Sequence, residues 1–415
     1  MYFPVAFQVL FLAQLAAIGW GANLRLLSNA DIEVRPVLQL ALLPTAANLN
    51  DDRPDDGIHG NVFRLARVLA AVTALGWLLS ALASTPAMQT WLALLTYIAV
   101  AGIVVLPQRI LSHTVRMQFL GSLVRIAVPS MTGPVFLCDI IMADILTSCA
   151  RTFADLRLVA CQFASLAWRD EASACSDTGM VGAFLVAMPY AFRLRQCVNE
   201  YRNAAPGSPE ATRHFANAVK YASSFPVICL SAMHRRAEIE ASTGVGKSGW
   251  TLRPTFGLWV LAVAFNSLYS YYWDVAFDWN LGHSRSGWKL ADVVVPPVSA
   301  SPAPGSVLGA VDETSELAIA RELVSPAEAL ARDAYEPTAK RSFPRWLRPR
   351  LRFAWIWLYY AAMAIDFLLR ITWTMKLSSY IRIDQMAFGG FWLNILEVYR
   401  RWQWTFLRIE KEAAR

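Results

Sequence analysis

A chain of 415 residues that is 56% hydrophobic and only 17% charged is too poor in charge for a soluble domain, where roughly a quarter of residues are charged. Its net charge of +7 matters through where the basic residues fall, and no nucleic-acid partner is expected. Six cysteines without C-x-x-C spacing read mostly as packing residues inside apolar runs. Five histidines show no metal spacing, so neither a metal nor any other cofactor is expected.

In chain order, the first apolar segment runs from Tyr2 to about Trp20, with no basic stretch ahead of it and no small-residue cleavage site. It reads as a retained span rather than a signal peptide. A polar loop over 23–60 carries the tract Asp51-Asp52-Arg53-Pro54-Asp55-Asp56. Two spans follow at about 63–84 and 90–107. Residues 108–130, with Arg109, Arg116 and Arg125 among Leu, Val and Ile, predict an amphipathic or interfacial helix.

Beyond about 132 the apolar runs carry single polar groups. Spans are expected at about 132–150, 154–168, 179–198, 214–233, 257–275, 354–375 and 390–408. The sum is an all-α polytopic membrane protein of about ten transmembrane helices, an even number that puts both termini on one side. It divides into N-terminal transmembrane helices and loops over 1–131 and a second transmembrane domain over 132–415. Residues 284–340, rich in Pro, Ser and Ala, read as a flexible cytosolic insert, with a short amphipathic helix from Glu316 to Ala334. The basic run from Lys340 through Arg341, Arg345, Arg348 and Arg350 to Arg352 marks the cytosolic face. The link with Arg202 and Arg213 falls on the same side. Arg235, Arg236, Lys247 and Arg253 then fall opposite, against the positive-inside rule.

Several charges sit inside these spans. Asp274 and Asp278 lie four residues apart, on one helix face, among Tyr271, Tyr272, Trp273, Phe277 and Trp279. Taken alone, they fit an interfacial aromatic belt with two solvated acids equally well. Asp144 has Thr147 and Ser148 at i+3 and i+4. Lys220 precedes Tyr221, Ser223 and Ser224, with Pro226 placed to break the helix ladder. Arg370 follows Asp366 by one turn and precedes Trp373 by another, and Glu397, Arg400, Arg401 and Trp404 share adjoining faces of the last span. A central charge costs about 2.5–3.5 kcal/mol on insertion scales, so so many need a reason. Asp366 and Arg370 can neutralise each other, and Arg401 can reach the headgroups. Lys220, Arg370, Arg400 and Arg401 together outnumber what pairing requires. Guanidinium forks with a lysine point charge suit a tetrahedral oxyanion such as phosphate, with the acids holding the forks in place.

Six motifs occur in order: Asp-Ile-Leu-Thr-Ser, Phe-Arg-Leu-Arg-Gln-Cys, Asn-Ala-Val-Lys-Tyr, Tyr-Tyr-Trp-Asp-x-x-x-Asp-Trp, Leu-Arg-x-x-Trp and Leu-Glu-Val-x-Arg-Arg-x-x-Trp. From about 132 to the C-terminus, apart from the insert, the chain thereby resembles the EXS domain. That domain is shared by phosphate exporters of the xenotropic and polytropic retrovirus receptor type and the yeast ER-retention-defective protein. Trp20-Gly-Ala-Asn-Leu weakly extends the likeness to the first span. The resemblance implies a phosphate pathway lined by Asp144, Thr147, Lys220, Tyr221, Asp274, Asp278, Arg370, Trp373, Glu397, Arg400 and Arg401. Val219 replaces the usual glycine before Lys-Tyr, and Val198-Asn-Glu-Tyr-Arg-Asn replaces a basic run.

No SPX domain is expected ahead of the first span, so the expected likeness is to the SPX-less fungal type. It implies a Golgi membrane protein that returns inorganic phosphate from the lumen to the cytosol and supports ER-protein retention and glycosyltransferase recycling. Inorganic phosphate, membrane lipids, Golgi glycosyltransferases and their sorting adaptors are the expected partners. The alternative is a non-transporting membrane scaffold for sorting. An enzyme is not expected, because an acid pair without a phosphate-cradling or metal motif is weak ground for catalysis.

Overall fold

Lipid offers backbone groups no water, so apolar runs of span length close on themselves as helices. The computed structural model describes residues 3–40, 57–106, 111–128, 135–168, 180–243, 249–283, 289–295, 346–353, 355–372 and 389–414, and among these no strand occurs beyond one isolated bridge between His283 and Lys289. The helices are α1 Val5–Asn29, α2 Val34–Val37, α3 Gly57–Leu82, α4 Pro86–Val105, α5 His113–Ala127, α6 Leu137–Ser148 and α7 Ala150–Trp168. They continue as α8 Met180–Asn203, α9 Pro209–Ala222, α10 Ser224–Thr243, α11 Gly249–Trp273, α12 Ile356–Arg370 and α13 Gly389–Ala413. A π-turn, Asp274–Asp278, extends α11, and a 3₁₀ turn, Leu290–Val293, follows it.

Among the described residues three helices are long and apolar enough to cross a bilayer, Val5–Asn29, Ile58–Leu82 and Pro86–Val105. They are the three earliest expected spans. α4 starts where Thr85 accepts the Met88 amide at 3.3 Å and Pro86 takes the first helical position. α1 packs closely on both neighbours because a Cβ on Gly21 would stand 3.0 Å from Phe63, and one on Gly19 3.0 Å from Trp402.

Two expectations about the spans need correction. The segments 132–150 and 154–168 are halves of one bent rod. Cys149 alone separates α6 from α7, yet its amide still donates to Ile145 at 3.2 Å and its carbonyl accepts from Phe153 at 3.2 Å. A chain that keeps its helical hydrogen bonds on both sides of a residue bends there but does not reverse. α9 and α10 join in the same way through Ser223, which stays right-handed and donates its amide to Val219 at 2.9 Å. The break precedes Pro226 because the proline has no amide for the turn before it.

The second correction concerns the termini. α1 and α13 run parallel: Phe3 meets Phe391 edge-on at 5.5 Å, Gly19 lies over Trp402, and Leu24 and Leu27 share a core with Ile409. Residues 3 and 413 therefore lie at opposite ends of the bundle, not on one side. Merging the two segments leaves nine rods among the described residues, three of them long and apolar enough to cross a bilayer.

The helix expected over 108–130 is α5. Its Arg116 turns inward and donates to the carbonyls of Ile103 at 2.6 Å, Leu106 and Leu111 at 2.7 Å, capping the end of α4. Arg125 holds Asp139 through a two-point fork at 2.7 and 2.8 Å. One core cluster joins Leu24, Val62, Ile141 and Ile409, so α1 and α3 share an interior with α6 and α13. A second gathers Val275, Trp279, Tyr359, Ala362, Trp404 and Leu407 around the π-turn.

Cys161 is disulfide-bonded, against its reading as a packing residue. Most of the 284–340 insert lies outside the described residues, including 316–334, as do the 51–56 tract and Lys340, Arg341 and Arg345. Within the insert, Leu290 sits close against Gly282: its amide donates to the Gly282 carbonyl at 2.9 Å, and Gly282, at φ 84°, leaves the space where a Cβ would meet Leu290 at 2.5 Å.

Candidate functional site

α6, α8, α9, the π-turn, α12 and α13 each bring charged side chains to the middle of the bundle. The π-turn keeps Asp274 and Asp278 on one face, although with i→i+5 rather than α-helical bonding: the Trp279 amide donates to the Asp274 carbonyl at 2.9 Å. Asp274 is fully buried, which excludes the solvated-belt reading. Its carboxylate accepts from Lys220 Nζ at 3.0 Å and from Arg370, with Arg400 Nη1 at 3.8 Å. Asp278 meets the same Lys220 Nζ at 3.5 Å, Arg408 Nη1 at 3.4 Å and the Trp404 indole N–H at 3.2 Å.

One further carboxylate links α12 to α13. Asp366 accepts from Arg370 Nε at 3.1 Å, as expected of an i,i+4 pair, but also from Arg400 Nη1 at 3.4 Å. Glu397 takes the other side of Arg400, from Nε at 2.9 Å. On the opposite wall, Asp144 accepts from Arg193 Nε at 2.8 Å and from the Tyr221 hydroxyl, and Lys220 lies 5.4 Å from the Tyr221 ring centre.

Arg401 differs from the rest. Its Nε donates to Ser148 Oγ at 2.8 Å and its Nη2 to Thr147 Oγ1 at 3.3 Å, and its guanidinium lies 4.6 Å from the Trp404 ring centre. It is buried, 7% exposed, so it does not reach the headgroups. Five carboxylates (Asp144, Asp274, Asp278, Asp366, Glu397) thus meet six cations (Arg193, Lys220, Arg370, Arg400, Arg401, Arg408). Among the described residues, Arg401 is the one cation of the six without a carboxylate within 4.0 Å. Beside it, a cavity of about 30 Å³, room on the order of one water molecule, opens between α1, α6 and α13 and is lined by Gly19, Asn23, Ser148, Arg401, Trp402 and Thr405 among others.

Ten of the eleven positions named from the sequence fall into this connected network, and Trp373 lies outside the described residues. The expected pathway left out Arg193 and Arg408, and Asp366 was read only as the i,i+4 partner of Arg370. The signal for Arg193 was present, a charge inside the 179–198 run, but Arg195 stands two residues away. Arg193 turns inward to Asp144, while Arg195 donates to the Ile126 carbonyl of α5. Spacing alone cannot rank two arginines whose partners come from distant helices.

Most of these bonds join ionised groups out of water, where each is worth about 1.5–3 kcal/mol and a lost partner leaves a costly bare charge. The acids hold the guanidinium and ammonium groups converged. An incoming anion would find Arg401 without a carboxylate and the other cations already oriented.

The EXS family model matches residues 3–414. Protein ERD1 homolog 1 of Schizosaccharomyces pombe is 26% identical over 292 residues, covering 67% of this chain and 57% of the relative. Protein ERD1 of Kluyveromyces lactis is 25% identical over 281 residues, covering 66% and 58%. Solute carrier family 53 member 1 of Cricetulus griseus is 24% identical over 377 residues, covering 85% and 44%. The matched stretch spans a little over half of the two fungal relatives and under half of the solute carrier. With an all-helical architecture and a family match over nearly its whole length, the chain belongs to the EXS family, a family of membrane proteins.

Proposed function

We propose that this protein carries inorganic phosphate across a Golgi membrane, from lumen to cytosol, through the buried ion cluster and without covalent chemistry. The carrying observation is Arg401, buried and without a carboxylate in a cluster whose other cations are held open by acids. Tetrahedral oxyanions suit such converging guanidinium forks. Asp144, Thr147, Lys220, Tyr221, Asp274, Asp278, Arg370, Trp373, Glu397, Arg400 and Arg401 are the proposed pathway, joined by Arg193, Asp366 and Arg408. The acids exchange places with phosphate on the cations and then repel it, which keeps dwell times short enough for conduction. The solute-carrier name of one relative and the ERD1 names of others support transport in a secretory membrane, with ER-protein retention and glycosyltransferase recycling as consequences.

The proposed topology has nine crossings: α1, α3, α4, α6–α7, α8, α9–α10, α11, α12 and α13, with α5 at the interface. Arg348, Arg350, Arg352 and Lys411 gather near the end of the bundle that holds residue 413. The positive-inside rule makes that end cytosolic. Val159 and Phe163 of α7 pack with Phe7 at the other end, so the Cys161 disulfide falls toward it, as an oxidising lumen requires. Helices of the 1–131 part act as a scaffold and those of 132–415 as the conducting part.

The test is phosphate flux into sealed vesicles containing the purified protein. Flux above that of empty vesicles, lost in Arg401→Ala, supports transport. A folded protein that moves no phosphate while still recruiting glycosyltransferases or adaptors would replace it with the scaffold reading.

A further inference from the structure

Below the cluster, toward residue 413, lies a second buried charge that the pathway does not use. Glu410 is fully buried and accepts from three donors, Arg348 Nη2 on one oxygen and the Arg352 amide at 2.9 Å and the Tyr359 hydroxyl at 3.0 Å on the other, with the cation of Arg348 balancing its charge. Arg348 in turn donates Nη1 to the carbonyl of Trp279, the residue that ends the π-turn, and Nε to the Arg350 carbonyl at 2.9 Å. Trp279 is itself fully buried, its indole N–H on the Trp404 carbonyl at 3.3 Å. Arg408 grips the same turn one residue earlier, with Nη1 3.4 Å from the Asp278 carbonyl.

The segment that carries Arg348 is fixed where it meets the bundle. Gly282 donates its amide to the Trp346 carbonyl at 2.8 Å, and the Trp346 amide donates to His283 at 3.0 Å. Trp346 has a φ of 74°, a conformation that bulky side chains rarely adopt and that surrounding bonds must hold. The chain leaving the bundle after His283 is therefore pinned to the chain returning at Trp346. A π-turn lacks the full α-helical ladder, so its exposed carbonyls depend on such outside donors.

We propose that Arg348, oriented by Glu410, is a positioning residue that fixes the π-turn so that Asp274 and Asp278 both face Lys220. The effect on phosphate handling rests on the transport reading; the positioning of the turn does not. Arg348→Met alone leaves Glu410 buried without its cation and risks misfolding. The informative variant is Arg348→Met with Glu410→Met, which removes both charges and substitutes apolar volume. Purified and monodisperse, it should show amide exchange over residues 274–281 about tenfold faster than the parent, the equivalent of roughly 1.4 kcal/mol, with exchange in α1 and α3 unchanged. In vesicles the phosphate concentration at half-maximal flux should rise severalfold, because Lys220 and Arg370 lose their fixed acid.

Exchange over 274–281 as slow as in the parent would overturn the positioning role. Faster exchange with unchanged half-saturation would overturn its bearing on phosphate. If the parent protein moves no phosphate at all, the transport reading fails, while the exchange measurement still decides whether Arg348 holds the turn.

Discussion

α1, α3 and α4 are long and apolar, and one of the few polar links between them is Gln14, which donates to the Leu69 carbonyl at 3.0 Å and to Thr73. The helices that build the cluster are charged in their middles. Neither α12 nor α13, with Asp366, Arg370, Glu397, Arg400 and Arg401, qualifies as a span by length and hydropathy. The first group is stable in lipid helix by helix, whereas the second is stable only once its charges have met. The proposed pathway lies where folding depends most on tertiary pairing.

The largest effect is expected where that dependence is greatest. Asp274→Ala removes the carboxylate shared by Lys220, Arg370 and Arg400, and a buried cation left without its partner costs about 3–5 kcal/mol. Folded protein recovered after size exclusion should fall steeply. A monodisperse variant with parental thermal stability would erase the contrast between the two regions.

Arg401→Ala should separate transport from folding. The Ser148 and Thr147 hydroxyls lose a donor and the Trp404 ring loses its cation, about 1–2 kcal/mol of stability, whereas phosphate flux should drop by more than about tenfold, or 1.4 kcal/mol. Arg370→Ala, by comparison, should lose flux and stability together, because Asp274 and Asp366 are both its partners. Parental flux in Arg401→Ala, measured in vesicles at equal protein, would remove it from the pathway.

A smaller change is expected of Asp278→Asn. Lys220 keeps Asp274 and Arg408 keeps Glu412 at 3.2 Å, so the fold should hold. Phosphate binding should persist or tighten as one repelling charge is lost, while flux falls severalfold. Measuring affinity and flux on one preparation checks the pair, and unchanged flux would return Asp278 to a structural role.

In the apolar region, Gln14→Leu should cost about 1 kcal/mol or less and leave flux per folded molecule unchanged. A loss of flux comparable to that of Arg401→Ala would mean that the early helices are more than a scaffold.

By itself the sequence determined that the chain is helical and membrane-bound, where the first three spans lie, and which charges interrupt the later ones. These follow from local composition, since lipid forces every apolar run to bond internally and penalises each buried charge. The order of the family motifs also selected ten residues that the structure brings together. Only the tertiary structure decided that Cys149 bends a helix instead of ending it, that α1 and α13 run parallel, and that Arg193 rather than Arg195 enters the cluster. It likewise decided which cation lacks an acid. Arg401 meets Ser148 and Thr147 across more than 250 positions of sequence, while Arg400, its neighbour, meets Glu397 and Asp366. Adjacent residues on a helix point about 100° apart, so each inherits the partners of a different neighbouring helix, and those partners are fixed by packing rather than spacing.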